Sequence, residues 1–184
     1  MRVVGGRLKG RNLASPSSRE IRPTADRLRE SLFNILIHAY DDPMQDARVL
    51  DLFAGTGALG IEAVSRGAKF ALFVDNGTEA RALLRNNVEA LGLGGATKVY
   101  RRDATNLGPA HPVEPFSLVF LDPPYHMQLA DKALVSLREG GWLTPGALLV
   151  VEEAKAAEFA APDGFAELER RAYDDTEFVF LRPS

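Results

Sequence analysis

One tetrapeptide combines residue types that the end of a strand does not need. An apolar run at 116–121, FSLVFL, has the composition of a buried strand, and Asp122-Pro123-Pro124-Tyr125 follows it directly. One proline is enough to end a strand, so the acid and the aromatic ring need another explanation. The Asp122 carboxylate and the Pro123 carbonyl could hold a nucleobase amine and direct its lone pair, while Tyr125 could stack on the base. The alternative is a rigid turn with a packed tyrosine.

A glycine-rich turn at 51–60, DLFAGTGALG, carries a second chemical signal. It matches Gly-x-Gly-x-x-Gly, a pattern in which the backbone turns sharply and the next helix offers free N–H groups to an anion. Asp75 follows Gly55 by twenty positions, which also suits a dinucleotide site. Asp51 argues against a pyrophosphate, because its charge would repel one, and favours a cationic ligand such as S-adenosylmethionine.

Three acids at the ends of successive predicted strands could each contact a different part of that ligand. Asp51 could face the positive methionine end, Asp75 the ribose hydroxyls and Asp103 the adenine amine, with the helix N-terminus on the carboxylate. Each acid could instead cap the helix or turn that follows it. Three acids in register favour the ligand.

The elements that must position these residues alternate between strand and helix from residue 47 onward. This alternation predicts an α/β fold with a mainly parallel twisted sheet of about seven strands and helices on both faces. Ligands in such sheets bind at the carboxyl ends of the strands. The predicted strands are ARVLDLFA, KFALFVDN, a short one around TKVYRRDA, SLVFLD and GALLVVEE, followed by an antiparallel hairpin of AELERRAYDD and EFVFLRP. The predicted helices are ALGIEAVSRG, GTEARALLRNNVEALGL and the segment from about Gln128 to Arg138.

The start of the chain differs in charge from the rest. Residues 1–30 hold eight Arg or Lys against three acids, whereas the remaining 154 residues have a net charge of −8. We expect one domain, 1–184, with a basic extension at 1–23, a helix at 24–40 and the core at 47–184. The extension is either flexible or a hairpin, and its charges either contact RNA phosphates or merely protect an exposed edge. The candidate RNA-binding residues are Arg2, Arg7, Lys9, Arg11, Arg22 and Arg29.

Composition excludes several classes of protein. The sequence has no Cys, and its three His (His38, His111 and His126) show no metal-binding spacing, so no metal site is expected. No run of 18 apolar residues and no charged leader occurs, so we expect a cytoplasmic protein without a membrane partner. We also expect a monomer.

The motifs LDLFAGTGALG, FVDN, RRDA and LDPPY resemble those of the class I S-adenosylmethionine-dependent amino-methyltransferases, which have a Rossmann-like fold. RVVGGRLKGRNL and RPTADRLRESLFNIL are similar to the RsmD family, and only the segment after Glu153 matches loosely. The resemblance implies methylation of the N2 amine of a guanine in 16S rRNA, free or in an assembling small ribosomal subunit, with Asp122 to Tyr125 as catalytic residues. The residues that it assigns to the cofactor are Asp51, Phe53, Ala54, Gly55, Thr56, Gly57, Gly60, Asp75, Asn76, Asp103, Ala104, Thr24 and Arg27.

Other functions stay open on the sequence alone. The Asp-Pro-Pro-Tyr tetrad is shared by methyltransferases that act on other amines, including adenine N6, so it indicates the reaction and not the base. Arg27 and Arg29 lie in the first turns of a helix, where their charges oppose the helix dipole. Either they bind an anion, such as a cofactor carboxylate or an RNA phosphate, or they are solvated on an exposed turn. The remaining alternatives are a nucleotide-dependent dehydrogenase and an RNA-binding module without catalysis.

Overall fold

A computed structural model of the protein describes residues 1–14, 26–125 and 128–184. The helices are α1 (Asp26–Ala39), α2 (Ala58–Ser65), α3 (Thr78–Ala90) and α4 (Leu129–Gly140). The strands are β1 (Arg48–Leu52), β2 (Phe70–Val74), β3 (Thr97–Tyr100), β4 (Phe116–Leu121), β5 (Leu143–Ala154), β6 (Phe165–Tyr173) and β7 (Thr176–Pro183). None of the helices in these three ranges is long and apolar enough to cross a membrane.

The seven strands form one sheet in the order β3-β2-β1-β4-β5-β7-β6. The first five are parallel, while β7 runs antiparallel to both β5 and β6. The predicted parallel sheet with an antiparallel terminal hairpin is therefore confirmed. The strand order reverses between β1 and β4, and that reversal opens a crevice at their carboxyl ends.

The apolar alternation of the strands divides the core between the two faces of the sheet. In β1, Val49 packs into one buried cluster and its neighbour Leu50 into the other. The first cluster takes side chains from α1, α2 and α3, including Leu84. The second takes side chains from α4, including Leu134, and the fully buried Trp142. Period-two strands covered by amphipathic helices thus account for both layers.

Some predicted boundaries differ from those of the structure. Strand β3 ends at Tyr100, so Asp103 follows it by three residues and does not lie at its tip. Strand β5 begins at Leu143, three residues before the predicted segment GALLVVEE. The strand continues through Gly146 although that residue has a φ of 71°. The predicted start of α1 at Thr24 lies outside the described residues.

Residues 1–14 form a hairpin, which we call the N-terminal hairpin, and it packs on the core. The N–H of Val3 donates to the carbonyl of Arg11 at 3.0 Å, and that of Leu13 donates to the carbonyl of Met1 at 2.9 Å. Val3, Leu8 and Leu13 are buried. Of the two forms considered for the extension, this part has the hairpin form, and its apolar side chains dock it on the body of the protein.

A buried carboxylate lies beneath this hairpin. Glu62 of α2 is fully buried, and its two oxygens accept hydrogen bonds from the N–H groups of Val4 and Gly5, each at 2.9 Å. The same carboxylate pairs with the Nε atoms of Arg29 at 3.4 Å and Arg66 at 2.8 Å. A buried charge needs such partners, so the cluster fixes where the hairpin docks.

The prediction that Arg29 binds RNA is wrong, because the side chain is fully buried. Besides Glu62, its guanidinium donates to Asp26 Oδ1 at 2.9 Å and to the carbonyl of Arg2. Arg29 lies three and four residues before Leu32 and Phe33, on the apolar face of α1. It therefore connects α1, α2 and the N-terminal hairpin inside the protein.

Candidate active site

A cavity of about 410 Å³ opens at the carboxyl ends of the parallel strands, beside the point where the strand order reverses. Segments that follow β1, β2, β3 and β4 form its wall. The predicted site residues in that wall are Asp51, Phe53, Ala54, Gly55, Thr56, Asp75, Asn76, Asp103, Ala104, Asp122, Pro123 and Pro124. The fold thus brings together residues that lie up to 73 positions apart in the chain.

The glycine-rich turn between β1 and α2 forms one side of the cavity. Gly57 has a φ of 82°, and a Cβ atom at this position would collide with Leu84 of α3. A Cβ on Gly60 would collide with the ring of Phe73. Gly57 and Gly60 are not among the described residues of the cavity wall. These two glycines therefore allow the turn and the close packing of α2 on the sheet, and their contact with a cofactor stays a prediction.

Asp51 is the buried acid of the cavity. It is the fourth residue of β1, it is 2% exposed, and its Oδ2 accepts a hydrogen bond from the N–H of Gly60 at 3.0 Å. Burial raises the pKa of its carboxyl to about 8, the Gly60 hydrogen bond lowers it, and the Asp75 carboxylate raises it. The carboxyl of Asp51 is consequently mostly protonated at neutral pH.

The other two acids of the predicted trio both hold turns and face the cavity. Asp75 accepts from the N–H of Gly55 at 3.0 Å and from that of Gly77 at 2.8 Å. Asp103 accepts from the hydroxyl and the N–H of Thr105, and these bonds hold the pKa of its carboxyl below its usual value. Turn capping and a position in the cavity wall are therefore compatible.

The tetrad after β4 is divided between two environments. Asp122, Pro123 and Pro124 are in the cavity wall. Tyr125 is half-buried, and its phenol shares a hydrogen bond of 3.0 Å with the hydroxyl of Thr176, the first residue of β7. The tyrosine is not among the described wall residues; it follows the wall residue Pro124 directly, and its hydroxyl is bonded to the terminal strand pair.

Several predicted site residues are not among the described residues of the cavity wall. Thr24 and Arg22 lie outside the described residues. Arg27 is exposed on α1 and is not in the described part of the wall. The remaining predicted RNA-binding residues are all exposed on the N-terminal hairpin: Arg2, Arg7, Lys9 and Arg11.

Two charged wall residues were not predicted from the sequence. Glu79 lies in the first turn of α3, and Arg102 precedes Asp103. The Arg102 guanidinium lies 5.1 Å from the ring centroid of Tyr100 and 5.8 Å from that of Trp142. An acid in the first turn of a helix is so common that it gives no signal for a site, and neither does a base beside an acid.

The charge of the cavity is strongly unbalanced. Among the described wall residues, one is a base, Arg102, and five are acids: Asp75, Glu79, Asp103, Asp122 and Asp51, the last of which is mostly protonated at neutral pH and adds little charge. Such a wall attracts a cation and repels a pyrophosphate. No three His, Cys, Asp or Glu side chains within the described ranges are arranged to hold a metal ion. The acids of the wall therefore suit a ligand that carries a positive charge and donates hydrogen bonds.

Comparisons with known proteins agree with this geometry. The family described as Conserved hypothetical protein 95 matches residues 1–182. Ribosomal RNA small subunit methyltransferase D of Escherichia coli (strain K12) is 39% identical over 152 residues, which cover 83% of this chain and 74% of that relative. Putative rRNA methyltransferase YlbH of Bacillus subtilis (strain 168) is 36% identical over 173 residues, covering 93% of this chain and 92% of the relative.

Among solved structures, a putative methyltransferase, yhhF, from Escherichia coli has a TM-score of 0.84 and 30% identity, covering 100% of this chain and 98% of that chain. A putative RNA methyltransferase from Pyrococcus horikoshii, at 18% identity and a TM-score of 0.70, shares the fold. With its sequence matched along nearly its whole length, the chain belongs to the RsmD family of ribosomal RNA small subunit methyltransferases.

Proposed function

We propose that the protein transfers a methyl group from S-adenosylmethionine to the exocyclic N2 amine of a guanine in 16S rRNA. The observation that carries the proposal is the composition of the cavity wall. Four acids at or after the ends of the first three strands, the glycine-rich turn and the Asp122-Pro123 pair line the same 410 Å³ space. Tyr125, which follows the wall residue Pro124, adds an aromatic ring whose hydroxyl is bonded to Thr176. A cationic methyl donor and a base amine are the two ligands that this combination suits.

The residues that would hold S-adenosylmethionine divide by charge. Asp51, buried behind the turn, would face the positive methionine end, and Asp75 and Asp103 would accept from the ribose and the adenine. The apolar side chains of Leu59 and Val74 would pack against the uncharged parts of the molecule. When bound, S-adenosylmethionine supplies the methyl group.

Asp122 and Pro123 would act on the amine. An exocyclic amine is a weak nucleophile because its lone pair is delocalised into the ring. If the Asp122 carboxylate and the Pro123 carbonyl each accept one of its hydrogens, they orient the lone pair toward the donor. No strong base is needed, since the amine becomes acidic once it is methylated and loses its proton readily. These two residues would therefore supply orientation and charge stabilisation.

The choice of rRNA as substrate rests on the relatives and on the N-terminal hairpin. Of the two relatives, one is named a ribosomal RNA small subunit methyltransferase and the other a putative rRNA methyltransferase. The hairpin carries exposed basic side chains on a chain whose overall charge is −3. Phosphates would be attracted to that part of the surface. The substrate would be 16S rRNA, free or in an assembling small subunit.

The test is a methyl-transfer assay on unmodified 16S rRNA with S-adenosylmethionine, comparing the wild type with Asp122→Ala and with the matched control Asp163→Ala. Asp163 lies between β5 and β6, outside the cavity wall. We expect Asp122→Ala to lower the rate by about 10²- to 10³-fold, as expected for the loss of one aimed acceptor. Cofactor affinity, measured by calorimetry, should stay within about twofold, since the residue acts on the amine and not on the donor.

Mass spectrometry of the digested product identifies the base. N2-methylguanine supports the proposal, whereas N6-methyladenine would move the activity to another amine. Heat of binding with NAD in place of S-adenosylmethionine would instead point to a dehydrogenase. A protein that binds 16S rRNA but transfers no methyl group would be an RNA-binding module.

A further inference from the structure

Asn87 is a buried polar residue that joins two separate segments of main chain. It lies in α3 and is 3% exposed. Its Nδ2 donates to the carbonyl of Thr56 at 2.9 Å, and its Oδ1 accepts from the N–H of Ala14 at 2.7 Å. Because one partner is a carbonyl and the other an N–H, the orientation of the amide is fixed by the hydrogen bonds themselves.

The carbonyl that Asn87 holds belongs to the glycine-rich turn. Thr56 lies between Gly55 and Gly57, is 2% exposed and is part of the cavity wall. On the cavity side, Asp75 accepts from the N–H of Gly55. The turn is therefore held by one side chain from the cavity side and by Asn87 from behind. Loss of the second contact would leave a buried carbonyl without its partner, a costly state that the turn could relieve only by moving.

The N–H that Asn87 holds belongs to the last described residue of the N-terminal hairpin. The hairpin touches the same turn again at Met1, whose Sδ lies 3.8 Å from the Thr56 hydroxyl. The hairpin and the turn are thus connected twice. Met1 contacts Thr56 directly, and the Asn87 amide links Ala14 to Thr56 through two hydrogen bonds. A change in the position of either segment is transmitted to the other through packed, hydrogen-bonded atoms.

We propose that Asn87 is a positioning residue for the cofactor site, and that it couples the N-terminal hairpin to the glycine-rich turn. Ordering of the turn around S-adenosylmethionine would strengthen docking of the hairpin at Ala14, and docking at Ala14, though not at the Ser65 end of the hairpin, would strengthen cofactor binding by the same factor, since coupling between sites is reciprocal. This inference rests on the proposed function, because it takes the cavity to be the S-adenosylmethionine site.

The chain provides a matched control at the other end of the hairpin. Ser65, the last residue of α2, is 4% exposed, accepts from the N–H of Leu8 at 3.0 Å and donates to the carbonyl of Gly5 at 2.6 Å. Ser65→Ala therefore removes two side-chain hydrogen bonds, as many as Asn87→Ala removes, but both of them join the hairpin to α2. It leaves the glycine-rich turn untouched.

The first experiment is calorimetry of S-adenosylmethionine binding to the wild type, Asn87→Ala and Ser65→Ala, each checked for cooperative thermal unfolding. We expect Asn87→Ala to weaken binding about tenfold, as the loss of one buried hydrogen bond implies, and Ser65→Ala to stay within about twofold of the wild type. Equal affinities for the wild type and Asn87→Ala would overturn the inference, and so would an equal loss in both variants. A wild type that binds no S-adenosylmethionine would refute the proposed function, and the inference with it.

The second experiment needs only the wild type, and so decides the matter even if Asn87→Ala does not fold. Amide hydrogen exchange is followed by NMR at Ala14 and Leu8, with and without saturating S-adenosylmethionine. We expect the ligand to slow exchange at Ala14 several-fold more than at Leu8, because only Ala14 is bonded to Asn87. Equal slowing at both amides would mean general stabilisation by the ligand and would overturn the coupling.

Discussion

Binding of S-adenosylmethionine should release a proton from Asp51. In the free protein, burial raises the pKa of this carboxyl to about 8, so about nine tenths of the molecules carry the proton at pH 7. A cation within a few ångströms lowers a carboxyl pKa by about 1 to 3 units. The pKa in the complex would then lie at about 5 to 7, and binding at pH 7 would release between about 0.4 and 0.9 proton.

The release can be measured by calorimetry in two buffers, phosphate and Tris, whose heats of ionisation differ. The control is Asp51→Asn, which keeps an oxygen for the Gly60 N–H but cannot ionise. We expect the wild type to release about 0.4 to 0.9 more protons than the variant at pH 7, and about 0.1 or less at pH 9, where Asp51 has already lost its proton. Identical proton release in the two proteins at pH 7 would refute the assignment of Asp51 to the positive end of the ligand.

The same carboxyl should make the stability of the free protein depend on pH. Its pKa is 3.8 in the unfolded reference and is raised in the folded state, so the folded protein binds more protons between these values. The stabilisation by the protonated form is complete below about pH 4 and is lost as the pH rises through about 8. Thermal unfolding of Asp51→Asn should show a smaller decrease over this range than that of the wild type.

Two other predictions test the RNA and base contacts. Replacing the four exposed basic residues of the hairpin (Arg2, Arg7, Lys9 and Arg11) by Ala should flatten the dependence of log affinity for RNA on log salt by about 2 to 3, at about 0.7 per phosphate contact. An unaltered slope would mean that RNA docks elsewhere. Tyr125→Phe and Thr176→Val should each slow methyl transfer by about 2- to 12-fold, the equivalent of one hydrogen bond. The double variant should be little slower than either single variant, since both substitutions delete the same hydrogen bond. Additive losses of rate would mean that this bond is not what the two residues contribute.

The fold could be predicted largely from sequence because its signals are local. Apolar residues recur at every second position in the strands and at every third or fourth position in the helices, because those side chains face the core. Both patterns can be read from the sequence. Boundaries were less certain, as at β3, where RRDA reads as a continuation of the strand although pairing with β2 stops at Tyr100. The ends of a strand depend on the neighbour it pairs with, and the sequence of one strand does not contain that information.

Site residues could be predicted only where their residue types are unusual for their position in the fold. The acids and the tetrad could be found because strand ends with such residues are unusual. Arg29 has the charge of a surface residue, but it lies on the apolar face of α1, where Leu32 and Phe33 follow at helical spacing, and that position decides its burial. Asn87 gave no signal at all, since its role depends on two main-chain groups that lie 31 and 73 positions away. Contacts of that kind exist only in the folded chain.

The docking of the N-terminal hairpin also sets an order on folding during synthesis. Its partners on α2 and α3 follow it in the chain, by 57 residues for Leu8 and Ser65 and by 73 for Ala14 and Asn87. At about 5 to 20 residues per second, the ribosome needs about 4 to 15 s to make the later partner. Until then, Val3, Leu8 and Leu13 have no core to cover them. The hairpin therefore stays uncovered until α3 has been made, and for several seconds its apolar side chains are open to chaperones and to neighbouring nascent chains.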